Sequence, residues 1–362
     1  MAFQGRLIAQ GNWYPKISVD LQEDLDNKTS QDEMFRIVIM MRDQFDPQQL
    51  TRQIGHLDKA QKREYVVNEL QRLSKTRQQE LLKELQQGQK GSLVDNIKTF
   101  WIFNGICCSA TKDMVQAIAE RPDVAYVTKE QEIFLTDGVE NTDSVMSDWR
   151  ADNQWNVNKV NAPAVWGKGY TGKGIIVAVI DTGVNYNHTD IADNMWDGGP
   201  EFPNHGWDFI NDDNDPIDDQ GHGTHCAGTV SSYGTNGKQC GIAKDAKIMA
   251  LKALKRSGSS PQTAAWSCIE FAVSHGADVL SMSYGSTAGG FWADRTVMEN
   301  VLYCGVVASV AAGNEGNNAN YPVPYNVNSP GNCPSPWTHP DQTLTGGQGR
   351  ICFHCISTSR IG

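Results

Sequence analysis

The sequence predicts an α/β fold, a mostly parallel sheet with helices on both faces, preceded by a small α+β domain. Three observations carry this. Beyond residue 153, near-continuous apolar runs alternate with segments of helical spacing, which is how strands buried on both faces of a parallel sheet read. Glycine is uneven, with 6 of 34 in residues 1–135, so the first part reads as helix-rich and the rest as turn-rich. Between them Thr136–Asn153 is polar, acidic and aperiodic, the signature of an exposed linker. The expected organisation is a first domain at 1–135, a linker at 136–153 and a second domain at 154–362.

Phe35–Met41 (FRIVIMM) has the length and apolarity of a buried strand. Pro47–Gln87 is charged and Gln-rich. Its Leu50, Ile54 and Leu57, then Val66, Leu70 and Leu73, fall at helical spacing, and Gly88 and Gly91 end it, so a helical hairpin is expected. Thr99–Ala110 reads as one aromatic strand, Asp113–Glu120 as a helix stopped by Pro122, and Val124–Val127 as a strand continuing toward Phe134. In the second part strands are expected at Ile175–Ile180, Ile248–Leu254, Val279–Met282 and Val306–Ala312. Helices are expected around His222–Tyr233, Thr263–His275 and Ala293–Tyr303.

The 362 residues carry 31 Lys+Arg against 42 Asp+Glu, a net charge of −11 with no basic cluster. Nucleic acid and anionic membrane are excluded as main partners, because both need clustered cations. No run of 18 apolar residues predicts a transmembrane helix. Met1–Pro15 lacks a secretory apolar core, so the chain as written reads either as cytoplasmic or as given without its export signal. Nine cysteines are too sparse for a disulfide framework, and their odd number leaves at least one thiol free.

Three short motifs bear chemistry. IIVAVIDTG sets Asp181 at the C-terminal end of a buried strand, where open α/β sheets keep their ligand crevices; the bland alternative is an Asp that starts a turn. GHGTHCAG sets His222 and His225 three apart on a helix opening. A metal pair is one reading, yet the glutamate of an HExxH site is missing, and His225 reads as a packed helix histidine. VVASVAAGNEG ends a strand at Asn314, whose amide suits an oxyanion, or which simply makes a turn.

DTG, GHGTHCAG and AAGNEG, in that order, resemble the subtilisin-like serine proteases, the subtilases, over roughly Trp155 to Pro336. FNGICCSATKDMVQAIAERPDVAYV, within Thr99–Val127, is similar to the inhibitory propeptide (I9-like) that precedes many of them. The resemblance implies that His222 is the general base, that Asp181 orients and stabilises it, and that Asn314 donates to the oxyanion. It further implies that Ser283, Tyr284 and Gly285 on one side, and Gly258 within Lys255–Ser260 on the other, grip an extended protein or peptide substrate by β-augmentation. The propeptide would act as an intramolecular inhibitor. Cys226 resembles a cysteine of some subtilases and reads either as a mercurial-sensitive thiol or as a structural one.

One feature departs from the family: the sequence contains no Gly-Thr-Ser, the family's nucleophile motif, and Ser357 and Ser359 lack its glycine-flanked helix start. The sequence therefore reads as truncated or frame-shifted near Gly347. The expected function is a serine endopeptidase precursor, with an inactive, peptide-binding pseudo-protease as the alternative. Asp208, Asp212, Asp213, Asp215, Asp218 and Asp219 fall within one short stretch and read either as a structural Ca²⁺ site or as a solvated acidic loop. Cys352 and Cys355 with Cys333 do not make a zinc pattern. Gly167–Gly172 matches GxGxxG, but precedes its strand and reads as a surface turn.

Overall fold

The computed structural model describes residues 16–27, 33–46, 57–136, 153–234, 237–287, 292–313 and 327–333. It comprises two compact units.

The first unit contains α1 (Val19–Asn27), β1 (Met34–Met41), α2 (Lys59–Arg77), α3 (Gln79–Lys90), β2 (Val94–Phe100), β3 (Gly105–Thr111), α4 (Lys112–Glu120) and β4 (Val124–Lys129). Its four strands are antiparallel in the order β2-β3-β1-β4. Alternate residues Phe35, Ile37 and Ile39 of β1, with Ile106 and Cys108 of β3, face one core. Leu21 and Leu25 of α1, Leu81 and Leu85 of α3, and Val115 and Ile118 of α4 cover it. Each such buried side chain contributes roughly 1.5–3 kcal/mol.

Helices are present in the expected stretch, but divided differently: Val66, Leu70 and Leu73 all lie on α2, Leu57 precedes it, α3 runs through Gly88, and Leu50 and Ile54 lie outside the described residues. A capping box opens α2: Asp58 accepts from the Gln61 amide at 2.9 Å, and the Gln61 side chain accepts from the Asp58 amide at 3.2 Å. The aromatic run Thr99–Ala110 is two strands rather than one. A turn over Trp101–Asn104 divides it, with Asn104 at φ 42°. Buried Gln78, between α2 and α3, holds that turn by donating to the Phe100 carbonyl (2.9 Å), Asn104 Oδ1 (3.1 Å) and the Gly105 carbonyl (3.2 Å).

The second unit begins with β5 (Glu132–Leu135), α5 (Trp155–Lys159), α6 (Ala162–Trp166), β6 (Ile176–Asp181), β7 (Gly206–Asp208) and α7 (His222–Ser231). It continues with β8 (Lys247–Lys252), β9 (Ser259–Pro261), α8 (Gln262–Ser274), β10 (Val279–Met282), β11 (Tyr284–Gly285), α9 (Trp292–Tyr303, whose residues 295–300 are counted with the first unit) and β12 (Val307–Val310). Five parallel strands run in the order β12-β10-β6-β8-β7. Central β6 is apolar on both faces. Val177 and Val179 pack in one core with Ala227 of α7, while the alternating Ala178 and Ile180 are fully buried as well.

β5, which the sequence suggests as a continuation of the N-terminal sheet, instead forms the middle of a three-stranded antiparallel sheet, β11-β5-β9, in the second unit. Among the described residues no helix is long and apolar enough to cross a membrane.

Candidate active site

Asp181 closes β6 and His222 opens α7; their relative exposures are 1% and 5%. His222 Nδ1 lies 2.8 Å from Asp181 Oδ1, an oxygen that also accepts the Thr182 amide at 2.7 Å. The start of α7 is tied to the end of β6 through Thr182, whose hydroxyl accepts from the Gly223 amide (3.0 Å) and donates to Asp218 Oδ1 (2.9 Å). A side chain at Gly223 would overlap the Gly183 carbonyl and the Asp181 Cβ, so glycine is what lets the helix approach this closely. On the neighbouring strand β8, buried Lys252 donates to the carbonyls of Thr182 (2.6 Å) and Leu254 (3.1 Å) and to Asp219 (2.7 Å).

Cys226, one turn along α7, sets its Sγ 3.8 Å from His222 Nδ1 and 3.5 Å from Ser283 Oγ. Among the described residues, Asp181, His222 and Cys226 form the one group of three potential metal ligands whose donor atoms converge. His225 points elsewhere and is exposed, so the packed position read from the sequence does not hold. Asn314 lies outside the described residues, as do Ser357, Ser359, Cys352 and Cys355.

Ser283, Tyr284 and Gly285 form or adjoin β11, and Gly258 immediately precedes β9, so the two stretches suggested as substrate rails flank one slot. That slot holds β5. Phe134 pairs with Gly285 and with Ser259, Leu135 donates its amide to the Gly258 carbonyl (2.9 Å), and Thr136 donates to the Ser283 carbonyl (3.4 Å). Gly258 has φ +80°, and a Cβ there would stand 3.1 Å from Leu135 Cδ1. Ile133, between the rails, is fully buried.

The six aspartates do not gather round one point. Asp208 accepts the amides of Ile210 (2.7 Å) and Asn211 (3.0 Å), Asp213 accepts that of Asp215 (3.0 Å), and Asp215 accepts the Tyr186 hydroxyl (2.7 Å). Asp219 meets the Lys252 ammonium, and Asp212 is an exposed turn residue at φ 58°. Asp218 takes the amides of Gln220, Gly221 and Thr224 and the Thr224 hydroxyl. Burial pushes the Asp218 carboxyl upward, but the Thr224 hydroxyl and those amides outweigh it and hold the group below the usual carboxylate range. These carboxylates are turned to N–H and O–H donors, a set that does not fit a single Ca²⁺ cage.

The residues that sequence reasoning missed are long-range. Asp294, Gln262, Trp266 and Ser329 form a buried polar group whose members lie 28 to 35 positions from Asp294, so no local motif announces them. Thr182, inside the DTG motif but with no role legible there, and Lys252, which no motif marks, brace the Asp–His pair.

The fold and this pair define an α/β protein with a buried Asp–His pair at the end of its central parallel strand. The subtilase family profile matches residues 172–344, and the peptidase inhibitor I9 profile matches residues 39–136. These matches support a subtilase with an I9 propeptide region ahead of the peptidase region. It is 37% identical over 180 residues to thermitase of Thermoactinomyces vulgaris, covering 48% of this chain and 60% of that protein. Against subtilisin E of Bacillus subtilis it is 30% identical over 243 residues, 66% of this chain and 57% of the relative. The minor extracellular protease Vpr of the same organism is 36% identical over 210 residues, 55% of this chain and 24% of the relative. The chain thus spans less than two thirds of the length of these relatives.

Proposed function

We propose that the chain is a subtilisin-like serine endopeptidase precursor, with His222 as general base and Asp181 as its orienting and charge-stabilising partner. In this reading the Nδ1–H of His222 donates to Asp181, leaving Nε2 to take a proton from a serine hydroxyl and return it to the leaving amine. Asn314 is assigned to the oxyanion, a contact of the kind worth about 10²–10³ in rate. The observation that carries the reading is the buried 2.8 Å His222–Asp181 pair beside a slot that already holds an extended strand of this chain.

Segment 131–136 is read as the propeptide's own substrate-like tail, the source of its inhibition. Among the described residues its ladder runs as far as the Thr136 amide on Ser283, whose hydroxyl lies 3.5 Å from Cys226 and so close to the Asp–His pair. Maturation is assigned to the stretch between Leu135 and Gln154, with the bond after Thr136, next to Ser283, as the first candidate. A second reading, in which the chain holds peptides without cutting them, is favoured by the absence of Gly-Thr-Ser from the sequence. The acidic loop at 208–219 is assigned a structural role.

Fluorophosphonate labelling and casein hydrolysis of the purified chain, beside a His222→Ala control, test this. The peptidase reading expects stoichiometric labelling at one serine outside any Gly-Thr-Ser motif, since the sequence contains none, with turnover that falls on the order of 10⁶ in the control. It also expects a new N-terminus between Leu135 and Gln154, with Asp137 as the first candidate. No label and no turnover, with an intact slot, selects the peptide-holding reading.

A further inference from the structure

The two rails of the slot belong to different stretches of chain, and one buried carboxyl bonds to residues that adjoin each of them. Asp294, in the first turn of α9, is 1% exposed. Its Oδ1 accepts from Gln262 Nε2 at 2.7 Å and from Trp266 Nε1 at 2.9 Å; its Oδ2 accepts from Ser329 Oγ at 2.7 Å. Gln262 directly follows β9, and its backbone amide donates to the Gln131 carbonyl of the tail at 3.0 Å. Ser329 pairs by two backbone hydrogen bonds, 2.8 and 2.9 Å, with Ser286, the residue after β11. All three partners are donors and are themselves buried, so the oxygens of one carboxylate satisfy three buried polar groups.

From this geometry we infer that Asp294 is a positioning residue of the peptide slot, fixing β9 through Gln262 and Trp266 and β11 through Ser329, so that both rails meet an extended peptide at the right spacing. The inference rests on the reading of the slot as the peptide site, and deepens it by naming what holds the slot open. The carboxyl ties the two sides together with three charge-assisted hydrogen bonds, which are directional where a packing contact would tolerate sliding. Tyr284 of β11 is buried beside the same group, and burial with the nearby Asp294 carboxylate raises its hydroxyl well above the usual tyrosine range, so it remains a neutral wall.

The alternation of the ladder supplies a test that does not depend on hydrolysis. In the full chain the Leu135 amide bonds to the Gly258 carbonyl on the β9 side, and the Thr136 amide bonds to the Ser283 carbonyl on the β11 side. Residue-resolved deuterium exchange should show Gln262→Ala speeding exchange at Leu135, Ser329→Ala speeding it at Thr136, and Asp294→Ala speeding both by roughly tenfold or more. Asp294→Asn, which keeps an acceptor for Gln262 and Trp266, should restore protection at Leu135. Amides of Val179 and Ala250 in the five-stranded sheet should be unchanged throughout. Equal acceleration at Val179 and in the tail, or no acceleration at either tail amide, overturns the inference. Should Asp294→Ala fail to fold, the side-selective effects of the Gln262 and Ser329 variants decide. Because exchange reports docking of the strand, an intact pattern in a chain that labels no serine would leave the positioning role standing while the peptidase reading fails.

Discussion

Two buried carboxyls pull stability in opposite directions as pH changes, and both can be read one residue at a time. Burial raises Asp294 from 3.8 to about 6 against the lowering effect of its three donors. Its folded form therefore holds the proton more tightly than the unfolded chain, so its contribution is fully favourable below about pH 4 and is lost as pH rises through about 6. The difference of about two units corresponds to about 3 kcal/mol. Denaturant unfolding of wild type and Asp294→Asn across pH 3.5–7.5 should show the variant gaining relative stability between pH 4 and 6 and no further above. A flat difference would mean that the group does not titrate in that window. Asp218 has the reverse sign: its folded value is depressed, so its contribution is present above about pH 4 and is lost as pH falls through the folded value. Asp218→Asn should lose stability at pH 7 and converge on wild type in acid, as seen in the unfolding midpoint. Legibility differed just as sharply between these residues. Asp181 and His222 were visible because each sits in a glycine-marked motif at the end of a regular element. Asp294 lies in a helix whose local sequence, FWADRT, carries no such mark, and its meaning comes from contacts closed only by the tertiary fold.

At the scale of elements, the apolar runs of the parallel sheet were legible because strands buried on both faces cannot be polar on either. The two errors have physical causes. Thr99–Ala110 is continuously apolar and aromatic, yet Gln78, two dozen residues upstream, supplies the side-chain hydrogen bonds that let the backbone turn at Trp101–Asn104. β5 has the alternation of a sheet strand, but alternation does not say which sheet, and the open edges of β9 and β11 were the ones it joined. The α7–β6 junction invites an element-level prediction. Gly223→Ala places a methyl against the Gly183 carbonyl, and the helix must move away from β6 to relieve it. Overpacking of this kind costs about 1–3 kcal/mol. The expected outcome is a lower unfolding midpoint together with loss of the low-field Nδ1–H proton resonance of His222, since the displaced helix start carries His222 off Asp181. A lower midpoint with that resonance intact would show the strain absorbed elsewhere.

For the molecule as a whole, the net charge of −11 is lopsided: residues 1–135 hold 18 Lys+Arg against 19 Asp+Glu, leaving 13 against 23 beyond them. The peptidase region therefore carries nearly all the self-repulsion, and its densest patch is the 208–219 loop just ahead of His222. Composition alone made that patch a fair calcium candidate, because it counts carboxylates and not the donors that face them. In the fold, Asp208, Asp213, Asp215, Asp218 and Asp219 each already accept from an amide, a hydroxyl or the Lys252 ammonium, which disperses the charge without a cation. Screening then remains the dominant lever, and at 0.1 M salt it acts over about 10 Å. The thermal midpoint should rise from low salt to 0.2 M NaCl. At matched ionic strength, the further shift on replacing NaCl by CaCl₂ should be the same in wild type as in an Asp212→Asn, Asp215→Asn double variant. If the variant loses a calcium-dependent increment that wild type shows, these carboxylates do close around the ion, and the hydrogen bonds that now occupy them must give way when it binds.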